Sequence, residues 1–237
     1  MNTKSEINIF KDKFHTLVHA NKIPMTQEFM EKVVESVGVN DTAHNLFHVY
    51  GVCVRTLEIC NTLKVSRRDT ELSFMGSFLH DIGCRYDRKN HHIIGRSIAE
   101  EMLKSELTGL YTEEEIGIIG LAVLEHRSSG KYCPESLVSQ IVSVADSGMP
   151  NIQHYIKRAV VFRIDNGETC VNKLISEVIE HLHEKFGGTG YHWDSYPPIG
   201  YNLFHSEIGL FKGWLEEDKS SELRDQVMQI YQETTNK

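Results

Sequence analysis

An all-α bundle of seven to nine helices is the fold class this sequence predicts, and three observations predict it. Apolar residues recur at i, i+3, i+4 and i+7 through most of the chain, alternating strand patterns are missing, and helix start signals precede several of the apolar stripes. N-terminal helices are expected over 1–40. From 45 to 63, Leu46, Val49, Tyr50, Cys53, Leu57 and Cys60 form one buried stripe. Ser66 with Asp69 makes a loose capping box ahead of Leu72, Met75, Leu79 and Ile82. Ile94, Ile98 and Met102 mark a helix over about 92–105. Thr112 and Glu115 form a fuller capping box, opening a helix through Ile116, Ile119, Val123 and Leu124. Pro134 suits the first turn of the next helix, which carries Leu137, Ile141, Val144 and Ala145 and is closed by Pro150. Two more helices follow at about 152–163 and 168–186, the latter with Val171, Leu174, Val178 and Leu182. The stretch "GGTGYHWDSYPPIGYN", 187 to 202, is one long irregular segment, and a helix from about 206 to 232 ends the chain. With 237 residues and neither internal repeat nor linker, the expectation is a single domain over 1–237. Its core spans about 40–186, with N-terminal helices over 1–40 and a C-terminal aromatic loop and helix over 187–237.

Composition narrows the function. Hydrophobic residues at 40% and charged residues at 24% fit a soluble globular protein. No run approaches the roughly 18 apolar residues of a membrane span. The opening "MNTKSEINIFKDKF" has no apolar run fit for a secretory signal, so a cytoplasmic location is expected. Five cysteines, an odd number without a C-x-x-C pair, argue against a disulfide framework and a thiolate zinc site; they read as buried small apolar residues in a reducing compartment. A net charge of -8 disfavours binding to duplex nucleic acid, which needs many Lys and Arg contacts to phosphate. A homo-oligomer stays open.

Thirteen histidines are the unusual feature. The stretch "AHNLFHVYGV", 43 to 52, sets His44 and His48 one helical turn apart on the first core helix. The pair His80-Asp81 ends the second, His91 and His92 open the third, His126 ends the fourth, and Asp146 lies late in the fifth. Taken singly, each has a plainer reading as a core histidine, a solvated helix-start residue or a cap. Taken together, inward-facing residues from several helices are how a bundle builds an interior metal centre. Neutral imidazoles with carboxylates able to bridge two cations suit Fe, Mn, Co or Ni, and suit Ca less.

The order His, His-Asp, Asp, with "FLHDIG" at 78–83 and "IVSVAD" at 141–146, resembles the HD superfamily of metal-dependent phosphohydrolases over about residues 44–150. "HHIIG" at 91–95 resembles the H-x-x-x-G helix start of the members with two metals, and "EHRSSG" at 125–130 resembles their later histidine. The resemblance implies an HD-type helical bundle holding two divalent metal ions, Fe or Mn, with Mg, Co and Ni as alternatives. It implies the ligands His48, His80, Asp81, His91, His126 and Asp146, with Asp81 as the bridging and catalytic carboxylate. The glycine spacing favours His91 over His92, which stays as the alternative ligand. "HNLFH" is similar to the His-Asn-x-x-His element of cyclic nucleotide phosphodiesterases, which implies His44 as a general acid.

The activity so implied is hydrolysis of a nucleotide or another small phosphoester by a hydroxide bridging the two cations. The leaving alkoxide takes its proton from His44 or water. Arg85, Arg88, Lys89, Arg127 and Lys131 flank the motifs as candidates to neutralise phosphate charge, or as solvated surface. Many relatives follow "HDIG" with Lys. Here Cys84 occupies that position and Arg85 comes one step later, rotated by roughly 100° if the turn is helical. "RSSGKYCP" after His126 lacks a Gly-Tyr-Pro element, which disfavours cyclic-di-GMP as substrate. The loop aromatics Tyr191, His192, Trp193 and Tyr196 either stack a nucleobase or pack the loop onto the bundle. Two other classes compete: a mixed-valent di-iron oxygenase of the same fold acting on a polyol or phosphonate, and a binding module that has lost catalysis. Against the last, six positions of buried polarity are costly to keep without a use.

Overall fold

The computed structural model describes residues 2–41, 43–127, 132–188, 190–194 and 196–236. Among them there is no strand beyond one isolated bridge between Thr108 and Tyr111. The chain forms two compact units, 1–148 and 149–237. The single core expected to reach residue 186 therefore divides at 148. Gly148, at φ +71°, ends the last helix of the first unit in a conformation that side chains disfavour, and Pro150 follows. Each unit buries its own apolar cluster.

The first unit runs α1 (Lys4–Ala20), α2 (Gln27–Val37), α3 (Leu46–Leu63), α4 (Arg67–Leu79), α5 (His91–Glu106), α6 (Glu113–Glu125) and α7 (Leu137–Ser147). The start signals read from the sequence operate: Ser66 accepts from the Asp69 amide, and Thr112 and Glu115 complete a reciprocal capping box. Pro134 falls outside α7, whose N-cap is Ser136, accepting from the Ser139 amide. Central to the unit is α4, which packs against α3, α6 and α7. Its last two turns, Leu72 to Leu79, are buried on every side, as a core helix must be. Phe74 and Phe78 are fully enclosed there, and truncating either to Ala costs about 3–5 kcal/mol. This packing holds the end of α4 rigidly at the middle of the unit.

The second unit comprises α8 (Ile152–Asp165), α9 (Val171–Phe186), α10 (Tyr191–Asp194), α11 (Pro198–Leu203), α12 (His205–Gly213) and α13 (Ser220–Thr235). The segment expected to be irregular thus contains two short helices. The long helix expected over 206–232 is broken after Gly213 by a turn and a short 3-10 segment, Glu217–Lys219. Glycine at 213 and the acidic run Glu216, Glu217 and Asp218 are both poor material for a continuous helix. These additions raise the number of α segments above the seven to nine expected. The cysteine reading holds for Cys53 and Cys60, which are buried; Cys84 is half-buried, and Cys133 and Cys170 are exposed.

Three of the four loop aromatics, His192, Trp193 and Tyr196, are core residues of this unit. Trp193 and Tyr196 are buried, Trp193 donates its Nε1–H to the Phe186 carbonyl at 2.8 Å, and Tyr191 is exposed. His192 lies among the rings of Phe186, Trp193 and Tyr196 at centroid distances of 4.7, 4.9 and 5.4 Å. Burial, aided by the Lys185 charge, pulls its pKa down to about 3. The unfolded chain protonates this ring near its ordinary value of about 6.5. Between those values the unfolded state binds a proton that the folded state refuses, so stability is full above about pH 6.5 and declines as pH falls. The loss is about 2 kcal/mol at pH 5. Melting curves of the full chain at pH 5 and 7.5 are expected to differ less for His192→Phe than for the parent; an unchanged difference contradicts this account.

Candidate metal centre

Five helix ends of the first unit supply the site. His48 lies in the first turn of α3, held there by Asn45, the N-cap, which accepts from the His48 amide at 3.0 Å. His80 is the C-cap of α4 and Asp81 follows it; His91 is the first residue of α5; His126 is the C-cap of α6; Asp146 is the penultimate residue of α7. Two glycines bring these ends together. A Cβ on Gly83 would collide with the His91 carbonyl and stand 2.8 Å from the Gly95 amide nitrogen. A Cβ on Gly95 would press on Val123 at 3.2 Å. The glycines of "HDIG" and "HHIIG" therefore let the turn after Asp81 lie directly on the first turns of α5.

The imidazoles share one local device. His80, His91 and His126 each donate Nδ1–H to the carbonyl three residues earlier, on Ser77, Arg88 and Val123, each at 2.7 Å. That bond fixes the ring orientation and aims Nε2 inward, the usual arrangement behind a metal-binding histidine. The Nε2 atoms meet in pairs, His48 with His80 at 3.1 Å and His91 with His126 at 3.0 Å. Asp81 stands between the pairs. Its Oδ2 is 3.1 Å from His80 and 3.5 Å from His48, and its Oδ1 is 3.5 Å from His91 and 4.0 Å from His126. Asp146 Oδ1 joins the first pair, 3.1 Å from His48 and 3.7 Å from His80.

The residues fit a cation. His80, Asp81, His91 and His126 are buried. Asp81 Oδ2 is enclosed without a hydrogen bond among the described residues, which is costly for a buried carboxylate oxygen. Inward-facing lone pairs repel one another unless something positive lies between them. Among the described residues, two of three donor groups that could hold a cation are made of these residues alone, His48, His80 and Asp146, and Asp81, His91 and His126. Burial opposes the charge on Asp81, yet His80, His48 and His44 hold its carboxyl well below the usual range. Asp146 is likewise ionised, because its bond to His48 and the charge of His80 outweigh burial. Burial lowers His80, but Asp81 outweighs it and raises the ring to about 9; burial and the neighbouring His80 take His126 down to about 3.

The remaining candidates fall differently. His44 is not on α3: it precedes the cap Asn45, in a turn where the Asp41 carboxylate accepts from the amides of Ala43 and His44. Capping by Asn45 starts the helix at Leu46, two residues after His44. His44 still reaches the cluster, with its ring 5.5 Å from that of His91 and its Nδ1 2.9 Å from Asp41 Oδ1. His92 is turned away from both donor groups and packs against Tyr132, as the rotation of one helical step from His91 requires. Arg88 pairs with Asp41 at 3.2 Å, Arg127 donates to the Lys89 carbonyl at 2.6 Å, and Arg85 lies over Tyr86 on the exposed surface. Lys131 lies outside the described residues.

Two supporting residues escape a sequence reading. Asn40, buried, donates to the carbonyls of His44 and Asp81 at 3.2 and 3.1 Å and so ties the His44 turn to the turn that carries Asp81. Arg55 stands two turns beyond His48 on α3 and donates Nε–H to the Ala145 carbonyl at 2.6 Å. A cation on one of the last carbonyls of α7 satisfies an orphan acceptor and favours the helix dipole, and here it fixes the turn that carries Asp146. Neither residue belongs to a motif; only the tertiary contact reveals it.

An all-helical unit whose helix ends converge on buried histidines and aspartates, with a carboxylate set between two imidazole pairs, defines a class of metal-dependent protein. Residues 46–147 match the HD domain family, and that segment is an HD domain; the family consists in general of metal-dependent hydrolases. No curated protein and no solved structure matches the chain. Among the described residues no helix is long and apolar enough to cross a membrane.

Proposed function

We propose that the first unit is a dinuclear metal-dependent phosphohydrolase acting on a nucleotide or another small phosphoester. The observation that carries this reading is the division of Asp81, whose two oxygens face different imidazole pairs. His48, His80 and Asp146 would hold one divalent cation and His91 and His126 the other, with the Asp81 carboxylate available to both. Such a pair of cations, Fe or Mn by the donor set, neutralises phosphate charge and lowers the pKa of a water between them. His44, oriented by Asp41, delivers a proton to the leaving alkoxide. Arg85, Arg88, Lys89 and Arg127 supply positive charge for the phosphate and its substituent. The Arg88–Asp41 pair joins that charge to the turn that holds His44.

Metal analysis of protein purified without chelator, followed by a screen of nucleoside mono-, tri- and cyclic phosphates with Mn under nitrogen, tests the proposal. Two equivalents of metal and turnover of a phosphoester are expected. Oxygen consumption dependent on reduced iron, without turnover under nitrogen, would overturn it in favour of a di-iron oxygenase. Arg55→Ala is expected to cut bound metal from two equivalents to about one, since it frees Asp146 and leaves the His91 and His126 pair intact. Arg55→Lys should recover part of the loss. Metal stoichiometry reads the effect, with the melting temperature of the metal-depleted chain as the control for folding, and two full equivalents in Arg55→Ala would contradict it.

A further inference from the structure

A third donor group adjoins the two already described. His44, Asp81 and Cys84 each offer one ligand atom, and these atoms all lie within 4.8 Å of one another. Asp81 and Cys84 stand three residues apart on the turn after α4, where the Cys84 amide donates to the Asp81 carbonyl at 3.0 Å. The turn aligns their side chains, with Cys84 Sγ 3.4 Å from Asp81 Oδ1. His44 approaches from the other side and has the support typical of a ligand, its Nδ1 tied to a carboxylate. The set differs in kind from its neighbours. Those offer only nitrogen and oxygen, whereas this one adds sulfur, the donor that selects soft cations such as zinc and cadmium.

Asp81 Oδ1 is common to this group and to the His91 and His126 pair. Two divalent ions on one carboxylate oxygen at such spacing repel strongly, so the two positions compete for a single ion. From this we infer that His44, Asp81 and Cys84 form an alternative, thiophilic cation site, which zinc or cadmium occupies in place of the second hard cation. Binding there forms a sulfur–metal bond and releases the Cys84 proton to solvent. It also occupies the free nitrogen of His44 and withdraws Asp81 Oδ1 from the other pair. A soft ion is therefore an inhibitor built into the site. That consequence for turnover rests on the dinuclear hydrolase reading, while the site itself does not.

Titration of the metal-depleted full chain with Co²⁺ tests the site without substrate. A near-ultraviolet sulfur-to-cobalt charge-transfer band is expected in the parent and absent in Cys84→Ser, with the visible cobalt bands retained in both. Cys84→Ala repeats the measurement should the serine variant fold poorly, with far-ultraviolet circular dichroism as the control. His44→Ala is expected to weaken the band by at least tenfold in cobalt concentration. In the Mn-loaded chain, zinc should inhibit Cys84→Ser at no less than tenfold higher concentration than the parent. Absence of the band in the parent, or its persistence without Cys84, overturns the site. Cobalt binding with the band but no phosphoester turnover would sink the hydrolase reading and leave this one standing.

Discussion

Replacing Asp81 with Ala is expected to remove both cations and all measurable activity together. The side chain is 1% exposed, and each of its oxygens faces a different pair of imidazoles. Without it, two divalent ions held by neutral rings have only Asp146 to offset four positive charges. Turnover should fall by at least about a thousandfold, the scale of losing metal activation and charge stabilisation in one step. Metal content by elemental analysis and rate with a model phosphoester measure the two losses. The fold should survive, because Phe74, Phe78 and Leu79 anchor the end of α4 independently of the carboxylate. Retained turnover in this variant would contradict the central assignment.

His44→Ala gives the contrasting result: both metals stay and the rate falls by about 10²–10⁴. His44 lies beside the cluster and belongs to neither hard-metal group. Its Nδ1 is engaged by Asp41, leaving the other nitrogen to exchange a proton with substrate. The loss should shrink for phosphoesters whose leaving group is acidic enough to depart as an anion, such as a nitrophenol, and persist for alkyl esters. Equal losses on both substrate types, or loss of metal, would remove the proton donor role. Asp41→Asn should produce a milder form of the same pattern, since it leaves the amide contacts of the turn in place.

Much of the site was legible because its residues lie next to helix boundaries that the sequence marks. Ser66 and Thr112 start α4 and α6, the apolar stripes run to their ends, and the histidines follow at once. His91 was separable from His92 by the glycine four residues on, and Gly95 does lie against the turn after Asp81. Where the sequence misled, a local signal competed with one from the tertiary structure. The spacing of His44 and His48 suits a helix, but Asn45 between them is the stronger cap. The aromatic loop carried turn residues and gave no sign that its rings build a separate core with Phe186 and Phe211. Asn40 and Arg55 act through backbone carbonyls 41 and 90 residues away, a partnership that no local spacing can encode.

The bond from His80, His91 and His126 to the carbonyl three positions earlier carries a wider consequence. Each of these three rings is braced by its own stretch of backbone, so its direction is set before any distant neighbour arrives. The surrounding wall, including Arg88, Arg127 and Cys84, can then be rebuilt without re-aiming the donors. Altered substrate preference should be reachable by changes on that wall alone, at little expense to ion affinity.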